Sequence, residues 1–448
     1  MGRAKNTMCT ALHPQILAHP VPFFFLCSYH FSKPDTEGCT EPLVAPIVEL
    51  LWQMYCFGRI RVRSSINCVQ HPPIPHHHPT PTTEVPLMLV LHLLLFLVSA
   101  TTALPTKSVL IFRHCLRSTP TSAYGAPGYN DFNNYSSHQF PKWPVPVYQC
   151  LPHGLTLVQA AGKQIGPSLP SPVVFKVDTS AQRDIDTANS LLVGMGKQLN
   201  SFVSAPALFD PPCPHVEKTK AIAALKARFA ASTPPKGHTD RLQRLQTLLG
   251  QGVAPAIDTI KDTVKDNGYF TGGSSIASEF AEAFLMQYGG SMPQTAWGEI
   301  TSATQIYDYI ETHIYYRGIN DRVLPLVSRS HSMMTDAITN FLSNSSVTGT
   351  LVLVGHDADL DALAELFGMS WHTTPFPKNA TTPGSALRFD LDTNNNVAAS
   401  VQYQDYNGSS DVLTVPATFN WWKTSNEVLP TLEDINGWLK PRLDQTCR

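Results

Sequence analysis

The amino-acid sequence predicts an α/β protein in which a doubly wound, mostly parallel sheet carries an inserted, mostly helical domain. Residues 109–112 (VLIF) and 351–354 (LVLV) are continuous apolar runs, which are typical of strands in a sheet covered on both faces. Residues 215–320 show helical periodicity and almost no strand-like runs. We therefore expect an α/β domain formed by residues 104–214 and 321–448, with residues 215–320 as the insertion.

Polar residues follow both apolar strands directly. The first strand stops at a basic loop, and the second ends in a turn at Gly355 that leads into a helix with Leu360 and Leu363 at helical spacing. Ligands of open α/β sheets bind outside the carboxyl ends of the strands, so we expect a functional site where these two strands end. After Ser385 the segments ALRFDLD and NVAASVQYQDYNG alternate in polarity, which predicts a late antiparallel pair of edge strands.

The first hundred residues differ from the rest. Residues 1–87 have no sustained periodicity, so we expect them to be disordered or absent from the working protein. They include a His/Pro tract whose histidines could bind a metal, but the prolines hinder a fixed tetrahedral site. Residues 88–103 combine an apolar run with a small-residue end, which is typical of a secretory signal peptide. The run is shorter than the ~20 residues that span a bilayer, so a stable membrane span is the weaker alternative. The protein is expected to be secreted or periplasmic.

Composition and cysteine content restrict the class of protein. The 448 residues are 43% hydrophobic and 15% charged with a net charge of -2, which fits a globular protein and gives no reason to expect a nucleic-acid partner. Cleavage of the signal would leave four cysteines, an even number that suits an oxidising compartment and allows three pairings. Four glycosylation sequons agree with secretion; they begin at Asn134, Asn344, Asn379 and Asn407. The oligomeric state stays open.

The segment RHCLRSTP places Arg113, His114 and Arg117 at the end of the first strand. Two guanidinium groups beside an imidazole suit a tetrahedral dianion, because each offers forked donors and a permanent charge. The imidazole can attack phosphorus and form a phosphohistidine that water hydrolyses. The alternative is a basic loop paired with surface carboxylates.

The segment GHD places His356 and Asp357 at the end of the second strand. Such a histidine can donate to a phosphate oxygen, and the carboxyl group can protonate a departing alkoxide. The alternative role of Asp357 is to cap the following helix. A third arginine, Arg183, leads a helix and could bind another phosphate oxygen, although alone it would be a surface residue.

Taken in order, RHCLRSTP, LTLVQAAG, AQRDIDTA and GHDADL resemble the signature of the histidine acid phosphatases, a family that includes bacterial periplasmic phytases and glucose-1-phosphatases. The resemblance extends from about Lys107 to Cys447. It implies a phosphoglycerate-mutase-like fold, a small phosphate monoester as substrate, and no metal or other cofactor.

The resemblance also assigns roles to individual residues. His114 would be the nucleophile and Asp357 the general acid, and the phosphate-binding residues would be Arg113, Arg117, Arg183 and His356. A bridge between Cys213 and Cys447 is implied, and a bridge between Cys115 and Cys150 is then possible. Glu282 and Arg329 fall in regions that resemble substrate-facing ones, although a solvated helix face is the preferred interpretation of both.

Three departures affect the expected function. Cys115 replaces the glycine of the signature, and no basic residue follows the signature closely, so inositol hexakisphosphate is not an assured substrate. Asp359 and Asp361 are expected to add negative charge near Asp357 and raise its pKa.

We expect an acid phosphatase. The alternatives are a phytase and a catalytically impaired phosphate-ester binding protein, while the signal peptide and the HD motif argue against a mutase of the same superfamily.

Overall fold

Eight strands form one mixed sheet at the centre of the protein. The structure is a computed structural model that describes residues 105–120, 131–213, 216–266, 268–422 and 428–447. The strands lie in the order β3-β2-β6-β1-β8-β9-β10-β7. Their bounds are β1 (Lys107–Arg113), β2 (Val173–Val177), β3 (Val203–Ser204), β6 (Gly349–Gly355), β7 (Met369–Trp371), β8 (Ala386–Leu391), β9 (Val397–Tyr403) and β10 (Leu413–Phe419). The regions expected to be disordered (1–87) and to form a signal peptide (88–103) lie outside the described residues.

One half of the sheet is parallel and the other antiparallel. Strands β3, β2, β6 and β1 pair in parallel, whereas β1–β8, β8–β9, β9–β10 and β10–β7 are antiparallel pairs. The predicted antiparallel pairing of β8 with β9 is confirmed. Their predicted edge position is wrong, because β8 lies between β1 and β9, and β10 covers β9. The segment that forms β10 contains Pro416, which weakened its strand signal in the sequence.

Helices cover both faces of the sheet around β1. The helices are α1 (Phe132–Tyr135), α2 (Pro152–Ile165), α3 (Gln182–Gly194), α4 (Lys218–Ala231), α5 (His238–Leu249), α6 (Gly273–Gly289), α7 (Ala303–Asn320), α8 (Leu324–Ser330), α9 (Ser332–Ser343), α10 (Asp357–Leu366) and α11 (Leu432–Leu439). Leu110 and Phe112 of β1 pack with α2 and α3, while Val109 and Ile111 pack with α9, α10 and α11. Successive side chains of a strand point to opposite faces, so the continuous apolar run produces two cores. The predicted doubly wound fold class is confirmed.

A mostly helical segment occupies residues 218–320, between β3 and β6. It contains α4 to α7 and a short hairpin of β4 (Thr263–Val264) and β5 (Phe270–Thr271). Its core includes Phe280 and Phe284 of α6 in contact with Phe140. The division of the chain into an α/β domain and an insertion domain stays a prediction.

Two disulfide bonds join distant parts of the chain. Cys213 is bonded to Cys447, and Cys115 is bonded to Cys150. These are the pairs that the family resemblance implies or allows. Among the described helices, none is long and apolar enough to cross a membrane.

Helices α2 and α3 approach so closely that a glycine is required between them. A Cβ atom added at Gly162 would lie 2.5 Å from the carbonyl oxygen of Leu191, whereas one added at Gly437 of α11 would meet no atom within 4 Å. We expect Gly162→Ala to lower the free energy of unfolding by about 1–3 kcal/mol through overpacking. Gly437→Ala should raise it by about 0.5–1 kcal/mol, since alanine favours a helix. Urea denaturation of both variants measures this, and equal effects would contradict the close approach.

Candidate active site

The parallel pairing of β1 with β6 brings the two polar clusters together. Arg113 lies opposite Gly355 in this pairing, and the backbone N–H of His114 donates to the carbonyl oxygen of Gly355 at 2.9 Å. The rings of His114 and His356 lie 5.8 Å apart between centroids. The structure therefore joins the RHCLR and GHD segments into one cleft at the carboxyl ends of the two strands.

His114 is buried and held in one tautomer. Its Nδ1 lies 2.9 Å from the carbonyl oxygen of Cys115, which can only accept, so Nδ1 carries the proton. The Nε2 atom then has a lone pair, toward which Nε of Arg117 points at 3.4 Å. Burial, and then the charges of Arg117, Arg113 and Arg183, lower the pKa of His114 well below its usual value. The imidazole is therefore neutral, with Nε2 available to attack.

Arg113 and Arg117 share the carboxylate of Glu282. A terminal nitrogen of Arg113 lies 2.7 Å from Oε1 of Glu282, and one of Arg117 lies 3.4 Å from the same oxygen. Burial would raise the pKa of Glu282, but Arg117, His313 and Arg113 lower it, and the net shift is downward. The preferred interpretation of Glu282 as a solvated helix face is wrong, since α6 directs its side chain onto the two arginines.

Arg183 and His356 are also brought to the cleft. A terminal nitrogen of Arg183 donates to Nδ1 of His356 at 3.1 Å, so Nε2 of this histidine carries the proton and donates to Asp178 at 3.1 Å. The ring of Tyr148 lies under both Arg117 and Arg183, at 5.4 and 5.8 Å from their guanidinium carbons. In this state His356 orients Arg183, and its predicted contact with phosphate stays a prediction.

Asp357 is the first residue of α10, and its side chain faces the arginines. Its Oδ2 atom lies 3.0 Å from Arg113 and 2.9 Å from Arg317, while Oδ1 accepts from the N–H of Ala358 at 3.0 Å. Burial would raise the pKa of Asp357, but Arg113 and Arg317 hold it well below its usual value. Oδ1 of Asp357 thus accepts a hydrogen bond at the N-terminus of the helix, and Oδ2 faces the arginines of the cleft.

The expectation that Asp359 and Asp361 raise the pKa of Asp357 is wrong. Asp361 forms ion pairs with Arg317 at 2.6 Å and Arg322 at 2.5 Å. Asp359 lies 3.1 Å from Nε2 of His331 and accepts the N–H of His356 at 2.6 Å. Cations and donors on other elements therefore offset both carboxylates.

His313 and Arg317 of α7 belong to the site and were missed in the sequence. They lie four residues apart, on one face of the helix. His313 bonds to Ser278 through Nδ1 at 2.9 Å, and its buried Nε2 has no hydrogen-bond partner among the described residues. Burial is the main reason that the pKa of His313 falls to about 4. The signal in the sequence was a pair of basic residues four positions apart in a helix with four tyrosines.

Arg329, the other residue expected to line a substrate pocket, lies on α8. Its guanidinium group forms an ion pair with Asp444 of the C-terminal segment at 2.8 Å. A role for Arg329 in substrate binding stays a prediction.

Two groups of potential metal ligands occur among the described residues: Asp178, Asp184 and His356, and Glu282, His313 and Asp357. In the first group, the proton on Nε2 of His356 occupies the atom that would bind the metal. In the second, Arg113, Arg117 and Arg317 already supply positive charge to the carboxylates. The geometry of neither group favours a cation.

Asp184 is an acid buried beneath the cleft. It is fully buried, and neither carboxylate oxygen has a hydrogen-bond partner within the described part of the chain. Burial raises its pKa from 3.8 to about 9. The folded protein therefore keeps a proton on Asp184 that the unfolded chain releases.

We expect Asp184→Asn to change the pH dependence of stability. Above pH 3.8 the unfolded chain loses the proton of Asp184, whereas the folded protein retains it up to about pH 9, so the wild type loses stability as pH rises through this range. The asparagine variant lacks this loss, so its melting temperature should rise relative to that of the wild type between pH 4 and pH 8. Asp186→Asn, on the same helix but partly exposed, is the matched control. A difference in melting temperature between Asp184→Asn and the wild type that stays constant with pH would contradict the buried, protonated acid.

Comparisons with known proteins identify the fold. No family model matches the chain. One curated relative, phytase AppA of Escherichia coli, is 31% identical over 136 residues, which cover 28% of this chain and about a third (31%) of the relative. The Hafnia alvei phytase bound to tartrate is 19% identical, with a TM-score of 0.66, and the match covers 78% of this chain and 99% of that one. For the Citrobacter braakii phytase the identity is 22%, the TM-score 0.64, and the coverage 77% and 99%. The predicted resemblance is thus confirmed at the level of the fold: the chain has the fold of these two bacterial phytases.

Proposed function

We propose that the protein is a histidine acid phosphatase that hydrolyses phosphate monoesters through a phosphohistidine intermediate. The observation that carries the proposal is the state of His114: it is buried and neutral, its Nε2 is unprotonated, and the charges of Arg117, Arg113 and Arg183 act on it. A neutral imidazole among three permanent cations suits an attack on a bound phosphate dianion.

Substrate binding begins with an exchange of anions. The phosphate group displaces Glu282 from Arg113 and Arg117, and Arg183 binds a further oxygen. The Nε2 lone pair of His114 then forms a bond to phosphorus as the bond from phosphorus to the ester oxygen breaks. The proton of Asp357 goes to that oxygen, so the leaving group departs as an alcohol.

The second step restores the enzyme. A water molecule attacks phosphorus, the bond from phosphorus to Nε2 breaks, and the Asp357 carboxylate accepts the proton of the water. Inorganic phosphate leaves and Glu282 returns to the arginines. Each turnover consumes one water molecule, and no other reactant is required.

The substrate alternatives differ in what supports them. The curated and structural relatives are phytases by name, which supports inositol hexakisphosphate as a substrate. The absence of a basic residue after the signature favours simpler monoesters, and residues 121–130 lie outside the described residues. The side chain of Cys115 is bonded to Cys150 within the apolar core, which removes the main reason to propose a catalytically impaired binding protein.

The proposed compartment is the periplasm or the extracellular space. Two disulfides and the signal-like residues 88–103 support it, since such bonds persist in oxidising surroundings. Glycosylation would apply only in a host that carries it out.

The central test is phosphate release from p-nitrophenyl phosphate and inositol hexakisphosphate between pH 3 and 8, with protein expressed from Met88. We expect activity in the wild type and none in a folded His114→Ala variant, because no other group replaces Nε2. His153→Ala, which alters an exposed histidine, is the matched control and should keep full activity. An inactive, folded wild type, or an active His114→Ala variant, would overturn the proposal.

Asp357→Asn tests the general acid through the leaving group. We expect kcat for glycerol phosphate to fall by about 10²–10⁴-fold, since an alkoxide needs a proton in order to leave. The first step with p-nitrophenyl phosphate should lose much less, because p-nitrophenolate departs unprotonated, and a burst of p-nitrophenol should precede slow turnover. Equal losses for the initial release from both substrates would show that Asp357 only holds the arginines.

A further inference from the structure

We infer that the Cys115–Cys150 disulfide is a positioning device for the nucleophile and its arginines, an inference that rests on the proposed function. The bond lies directly beside His114 and is buried, with Cys115 0% and Cys150 6% exposed. A bond placed only for general stability has no reason to include the residue that follows the nucleophile.

The backbone of Cys115 connects His114 to the helix that carries Arg183. Its carbonyl oxygen accepts the Nδ1 proton of His114 at 2.9 Å and thereby fixes the tautomer that leaves Nε2 free. Its N–H donates to Oγ1 of Thr187 at 2.9 Å, and that hydroxyl donates to the carbonyl oxygen of Arg183 at 2.7 Å. A change in the backbone dihedral angles of this one residue would disturb both the nucleophile and a phosphate-binding arginine.

The segment around Cys150 connects to Arg117 on the other side. Cys150 forms an isolated antiparallel bridge with Arg117. The N–H of Leu151 donates to Leu116 at 2.8 Å, and the N–H of Ser118 donates to Gln149 at 3.0 Å. The sulfur of Cys150 also lies 3.5 Å from the carbonyl oxygen of Arg183.

The disulfide thus covalently fixes a network of single hydrogen bonds. Three elements meet at it: the loop after β1, the segment before α2, and the first turn of α3. Without the bond, we expect the loop to shift while the fold persists. A displacement of about 1 Å near reacting groups can reduce the rate by about 100-fold.

The matched control is the second disulfide. Cys213–Cys447 closes a loop of 234 residues against 35 for Cys115–Cys150, so its removal frees at least as much of the unfolded chain. We would compare wild type, C115A/C150A and C213A/C447A by melting temperature, by kcat and KM for p-nitrophenyl phosphate, and by the affinity for inorganic phosphate. We expect kcat to fall about 10–100-fold in C115A/C150A alone. The kcat of C213A/C447A should stay within twofold of that of the wild type, although its melting temperature drops at least as far as that of C115A/C150A.

Two outcomes would overturn the inference: C115A/C150A keeps kcat and phosphate affinity within twofold of wild type, or both double variants lose them equally. If the wild type binds phosphate without turnover, the proposed function is refuted. The positioning role is still tested in that case, because a loss of phosphate affinity confined to C115A/C150A supports it.

If C115A/C150A does not fold, graded reduction of the folded wild type replaces it, with each thiol quantified by alkylation and mass spectrometry. The loss of activity should follow cleavage of Cys115–Cys150. A loss that follows Cys213–Cys447 instead would refute the inference.

Discussion

The register between β1 and β6 sets the relative positions of the side chains at the cleft. These strands come from distant parts of the sequence, yet their parallel pairing sets Arg113 opposite Gly355, and the two polar segments continue from that pair of residues. A slip by one residue would turn every side chain of β1 to the opposite face of the sheet. Helices pack on both faces, so such a slip would misplace two apolar cores at once. The cost of repacking the cores is therefore what keeps His114 beside Asp357.

Charge balance follows from this placement. Arg113 pairs with Glu282 and Asp357, and Arg317 pairs with Asp357 and Asp361. These two buried cations thus have carboxylate partners, which avoids the cost of unpaired buried charge. Glu282 comes from α6 and Arg317 from α7. The helical segment therefore supplies a carboxylate to Arg113 and an arginine to the carboxylates of α10.

The sequence allowed the prediction of those parts of the site that follow strands directly. His114, Arg117 and Asp357 occur in short motifs at strand ends, where local patterns are informative. His313 could not be found in this way, because only the packing of α6 and α7 brings it near Glu282. The predicted effect of Asp361 on Asp357 failed for a related reason: its neutralising partners, Arg317 and Arg322, lie far from it in sequence. Similarly, β9 was predicted as an edge strand because β10 was not recognised beyond it.

In the proposed mechanism, the low pKa of Asp357 determines when this group can act as the acid. Arg113 and Arg317 stabilise its carboxylate, so the group is ionised before substrate binds. A phosphate dianion on Arg113 offsets one of these charges and adds a negative charge beside the carboxylate, and both effects raise the pKa. Protonation of Asp357 is thus coupled to the binding of phosphate. In the proposed mechanism the phosphoryl group stays beside the arginines after the alcohol departs, so the deprotonated carboxylate keeps the raised pKa that lets it accept a proton from the attacking water.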